Sequence, residues 1–108
     1  MTKQKLDKKL NTIVRRLVKR FDPDQIILFV SYARGAPRAD SDIDLLVVLP
    51  VTGSRRAKQV EMRVALHDIR VRKDIIVATP DQVARQRDIV GTIIHPALRE
   101  GRVLYARS

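Results

Sequence analysis

The sequence predicts an α/β fold of the α+β kind, a small mixed β-sheet packed with helices in the order α-β-β-α-β-α-β. Three observations carry this. Apolar runs at 25–30, 42–49 and 72–78 have the length and composition of strands. Amphipathic stretches of helical period lie between and around them. Clusters rich in Pro, Gly, Asp and Ser separate the two kinds of segment. With 108 residues, the expectation is one domain, 1–108, with a single core of at most three layers.

Residues 3–21 form the first predicted helix. Leu6, Leu10, Ile13, Val14, Leu17, Val18 and Phe21 draw one apolar stripe, and Lys8, Lys9, Arg15, Arg16, Lys19 and Arg20 cover the other face. A charged outer face on a core helix explains these basic residues without a ligand. Asp22-Pro23-Asp24 ends the helix, because proline disfavours helical geometry in the residue before it. Gln25–Val30 is a continuous apolar strand, and Ser31 to Arg34 fits the first turn of a short helix. Gly35 to Asp40 is a loop, Asp42–Leu49 the second strand, and Pro50 closes it. Helix formers then run from Ser54 to about Ile69, with Ala57, Val60 and Val64 on one apolar stripe and Met62, Leu66 and Ile69 on the next. His67 falls near this apolar side, where a half-buried core histidine is expected rather than a metal ligand. Arg72–Ala78 is the third strand. Thr79-Pro80-Asp81-Gln82 has the cap, first-turn proline and third-position glutamine of a helix start, and the helix runs to about Asp88. A further helical segment, Thr92 to Glu100, stops at Gly101 before a short last strand, Arg102–Tyr105.

Composition narrows the chemistry. Without cysteine there is no disulfide framework, thiol nucleophile or cysteine-ligated zinc. No apolar run approaches the ~20 residues that span a bilayer, and the N-terminus lacks a signal-peptide core, so a cytoplasmic protein without membrane association is expected. The formal charge of +10 favours an acidic partner, whether nucleotide, nucleic acid or protein surface. The basic residues are dispersed, and no RNA-recognition aromatic pattern, zinc finger or helix-turn-helix accompanies them. Nucleic acid is therefore a possible partner but not the favoured one.

The chemistry-bearing stretch is Ser31 followed by Asp42-Ile43-Asp44. On a strand, alternate side chains share a face, so Asp42 and Asp44 point the same way, their Cα atoms two rises of ~3.3 Å apart. That spacing suits two oxygen donors sharing a hard cation such as Mg²⁺. Asp74 opens another apolar run; if that run pairs beside the first, three acids converge at one end of a sheet. Such acids repel unless cations neutralise them. Backbone N–H groups at the Ser31 turn can receive phosphate oxygens, although Ser31 also reads as a simple helix cap.

These residues resemble the minimal nucleotidyltransferase family of the DNA polymerase beta-like nucleotidyltransferase superfamily. Its pattern is Gly-Ser, ten residues, Asp-x-Asp, then a later strand with a third acid. Here Ser31 is followed by ten residues, Tyr32 to Ser41, and then by Asp42-Ile43-Asp44. Ala33-Arg34-Gly35, Ser41 to Val47, and the tail Pro96 to Tyr105 are also similar to the family. The glycine of the pattern is Val30.

The resemblance implies a polymerase beta-like nucleotidyltransferase fold and metal-dependent transfer of AMP from ATP. Asp42, Asp44 and Asp74 are then catalytic and hold Mg²⁺ or Mn²⁺, while Ser31, Arg34 and Val30 form the nucleotide-binding side. Arg34 supports the phosphate charge or is a surface arginine. The implied acceptor is a tyrosine of a HEPN-domain partner, with this chain acting as antitoxin in a hetero-oligomer. The alternatives are a non-catalytic antitoxin with a relic site, since Val30 adds a branched side chain where glycine leaves room for phosphate, and a nucleic-acid-modifying transferase.

Overall fold

A computed structural model describes residues 3–29, 43–71, 73–87 and 101–107, with the side chains of 3–6 excepted. Their elements follow the predicted order: α1 (Lys3–Phe21), β1 (Gln25–Phe29), β2 (Ile43–Val48), α2 (Arg55–Ala65), β3 (Lys73–Ala78), α3 (Pro80–Gln86) and β4 (Arg102–Ala106). The short helix expected from Ser31 and the helical segment expected at 92–100 lie outside the described residues.

The strands form one four-stranded sheet ordered β3-β2-β1-β4. β1 runs antiparallel to both β2 and β4, whereas β2 and β3 are parallel. Helix α2 supplies the crossover that a parallel pair requires. All six residues of β2 are buried, as its inner position in the sheet demands.

Strand alternation sorts the core into two clusters. Ile26, Leu45, Val47, Ile75 and Val77 meet Leu10, Ile13 and Leu17 of α1, Met62 of α2, and Leu66 and Ile69 just beyond it. On the other face Ile27, Phe29, Leu46, Val48 and Ala78 pack together, with Ile76 and Val83 of α3 against them. Helices α1 and α2 thus cover one face and α3 reaches the other.

Local chemistry sets the element ends. α1 stops at Asp22, which adopts φ 50°, and the Asp22 N–H donates to the Val18 carbonyl at 3.1 Å. The Ser54 hydroxyl accepts from the Ala57 N–H at 3.1 Å to cap α2, and Thr79 caps α3 through the Gln82 N–H at 3.0 Å. Arg16 of α1 donates to the Ala65 carbonyl at 2.9 Å and to the Asp68 carboxylate, tying α1 to the end of α2.

Two expectations for α2 need correction. The helix ends at Ala65, not near Ile69; the Leu66 and His67 N–H groups donate to carbonyls three residues back, which tightens the backbone into a turn. Leu66 and Ile69 are nonetheless buried, because that turn folds them under the sheet. His67 is exposed rather than half-buried, with Nδ1 2.8 Å from the Val64 carbonyl oxygen. Of the two apolar stripes, that of Met62 enters the core, while Val60 and Val64 remain 49% and 62% exposed.

Candidate active site

β2 is apolar apart from one acid. Asp44 lies in the middle of Ile43-Asp44-Leu45-Leu46-Val47-Val48 and is only 7% exposed. A carboxylate held there forfeits hydration, which a purely structural strand has no reason to impose. Its neighbours explain the placement. Across the parallel β2–β3 pair Asp44 is in register with Asp74, and across the antiparallel β1–β2 pair it stands opposite Phe29.

In-register residues of adjacent strands project to the same face, and the strands lie about 4.8 Å apart. Asp44 and Asp74 therefore stand side by side on the face of Leu46, Ile76 and α3, away from α1 and α2. The two acids begin the strand pair, and Leu46, Val48, Ile76 and Ala78 continue the same face as an apolar floor behind them. β1 delivers its last described residue, Phe29, to this same end of the sheet. The convergence of Asp44 and Asp74 expected from sequence is thus present. Val30, Ser31, Arg34 and Asp42 lie outside the described residues.

Sequence reasoning missed Arg63. Its guanidinium reaches Asp74 Oδ1 at 3.3 Å from the solvent-facing side of α2. The available signal was spacing: Arg56, Gln59 and Arg63 fall at i, i+3 and i+7, one face of a helix. Gln59 faces the outer edge of β3, where its Oε1 accepts from the Val77 N–H at 3.3 Å. Between α2 and this edge runs a cleft of about 750 Å³, lined by Ser54, Arg55, Arg56, Gln59, Arg63 and Ile76 among others. Arg55 also donates to Gln82 Oε1 of α3. A larger hollow of about 950 Å³, along Val14, Val18 and Tyr105, touches neither acid.

Two in-register carboxylates are an all-oxygen donor set, which fits Mg²⁺ or Mn²⁺ and suits neither soft metals nor a cysteine–histidine zinc centre. Among the described residues no group of three or more His, Cys, Asp or Glu gathers to hold a metal ion. The described portion of the site is therefore a pair of acids, flanked by one arginine at the sheet edge. No described helix is long and apolar enough to cross a membrane.

Comparison with known proteins bears on this geometry. The family model described as a nucleotidyltransferase domain matches residues 7–100. Among solved structures, the chain is similar to a candidate nucleotidyltransferase from Sulfolobus solfataricus, with TM-score 0.56, 20% identity, and coverage of 99% of this chain and 91% of that one. It is also similar to a chain of a mutant toxin–antitoxin MntA–HpeT structure, with TM-score 0.51, 18% identity, and coverage of 91% and 73%. At these identities the likeness is one of fold. No curated protein matches the chain.

Proposed function

The chain belongs to the nucleotidyltransferase domain family, and from that premise we propose that it moves AMP from ATP onto an acceptor hydroxyl, a tyrosine of a HEPN-type toxin partner. The observation that carries the proposal is the register pair Asp44–Asp74 at one end of the sheet. A buried acid on the inner strand β2 and a half-exposed acid on its edge neighbour β3 supply what a phosphoryl-transfer centre needs from its protein.

In this reading Asp44 and Asp74, with Asp42, hold Mg²⁺ or Mn²⁺, and the bound cation supplies charge neutralisation at the phosphate oxygens. Asp44, enclosed within β2, fixes the inner side of the site. Asp74, on the outermost strand and open to solvent, addresses the acceptor. Ser31 and Arg34 take the triphosphate tail. The acceptor oxygen forms a bond to the α-phosphorus of ATP while the bond from that phosphorus to the β-phosphate bridge breaks. Pyrophosphate leaves, and the hydroxyl proton passes to solvent. The apolar floor of Leu46, Val48, Ile76 and Ala78, with Val83 of α3 packed on it, keeps water from the rear of the acids.

A toxin partner is supported by the fold shared with a chain of a toxin–antitoxin pair. The test is co-purification with the protein encoded beside it, followed by incubation with ATP and Mg²⁺. The intact mass of the partner should rise by one or more AMP groups, located on tyrosine. A stable complex whose partner never gains mass would favour an antitoxin that works by contact alone.

A further inference from the structure

Arg63 is placed differently from a structural arginine. It joins α2 to the edge strand β3 through a pair that lies outside the core, its side chain 51% exposed and Asp74's 43% exposed. Among the described residues it is the cation that ion-pairs with Asp74. Asp44 stands in register beside that acid, so the guanidinium sits at the outer rim of a two-carboxylate field.

We propose that Arg63 is a placeholder cation: it holds Asp74 while no divalent ion is bound and gives the carboxylate up when the ion arrives. The inference rests on the reading of Asp74 as a metal-holding residue and adds a positioning residue to it. The solvent exposure of the pair is what makes the exchange possible. A buried arginine–carboxylate pair would resist separation strongly, whereas a half-exposed one holds by a factor of about five at most. The guanidinium has somewhere to go, since Arg63 already lines the cleft between α2 and β3. Its role is to offset the repulsion between the acids in the metal-free protein, and thereby to lower affinity for an ion that must displace it.

The test uses Mn²⁺ alone, with free ion followed by electron paramagnetic resonance at low ionic strength, for wild type, Arg63→Gln, Arg63→Lys and Asp74→Asn. Circular dichroism confirms that each variant is folded, and the exposure of Arg63 on a helix surface makes loss of fold an unexpected result. Removing a competing positive charge should tighten Mn²⁺ binding by about threefold in Arg63→Gln, in keeping with a surface pair. Arg63→Lys should return the affinity to near wild type, which a merely structural role would not require. Asp74-dependent Mn²⁺ binding that is unchanged or weaker in Arg63→Gln would overturn the placeholder role and leave the nucleotidyltransferase reading standing. Absence of any Asp74-dependent Mn²⁺ binding in wild type would overturn both.

Discussion

Replacing Asp44 by Asn should stabilise the metal-free protein while removing its response to metal. Two carboxylates on neighbouring strands about 4.8 Å apart repel by about 0.9 kcal/mol with water-like screening and about 3.5 kcal/mol at an effective dielectric of 20. Asp74 is half-exposed and paired with Arg63, so the weaker end of this range applies. Relief of about 1 kcal/mol corresponds to a rise in melting temperature of roughly 4–8 °C for a domain of this size. Thermal unfolding followed by far-ultraviolet circular dichroism in EDTA measures this directly. Added Mn²⁺ should then raise the wild-type transition by mass action, about 2.7 kcal/mol at a hundred times the dissociation constant, and leave Asp44→Asn unmoved. An Asp44→Asn protein that is less stable than wild type in EDTA by about 1 kcal/mol or more, the size of a lost structural hydrogen bond, would refute the reasoning. It would mean that the carboxylate serves the fold and not a cation.

Three further outcomes are expected, two from the structure and one, at Val30, from the sequence. Asp22 has φ 50°, a conformation that penalises a branched Cβ, so Asp22→Val should fall about 1–2 kcal/mol below Asp22→Gly in urea unfolding. The hydrogen bond from Arg16 holds the Asp68 carboxyl below its ordinary value near 3.8, so its contribution is present above that value and lost as pH falls through the lower, folded-state value. The melting temperatures of wild type and Asp68→Asn should accordingly differ at neutral pH and converge in strong acid; a constant difference across pH would contradict the pairing. Val30→Gly should raise ATP affinity in calorimetry if the valine side chain crowds the triphosphate, and unchanged affinity would show that it does not.

The order of seven elements was legible because the two periodicities are well separated here: runs such as Ile26 to Phe29 cannot form an amphipathic helix, and the α1 stripe cannot form a strand. The end of α2 was not legible. Leu66 and Ile69 continue helical spacing and are buried, yet the backbone leaves the helix at Ala65 because β3 must begin a few residues later. Nor does spacing alone tell which of two apolar stripes enters the core; β3 takes that of Met62 and leaves Val60 and Val64 outside. At the site, Asp74 was legible as the acid that opens its own apolar run. The register that puts Asp74 beside Asp44 is a tertiary fact, set by how α2 carries the chain across. Arg63 was hidden for the same reason, since only that crossover brings α2 to the outer acid.

The central claim, a nucleotidyl-transfer site built on Asp44 and Asp74, is tested most directly by position-specific label. ATP labelled at the α-phosphate or at the γ-phosphate is supplied with Mg²⁺ to the co-purified complex of wild type, Asp44→Asn or Asp74→Asn. Wild type should transfer the α-label and not the γ-label to the partner, and both variants should lose transfer by at least a hundredfold, about 2.7 kcal/mol of transition-state stabilisation. Transfer of the γ-label, or undiminished α-label transfer by either variant, would contradict the account.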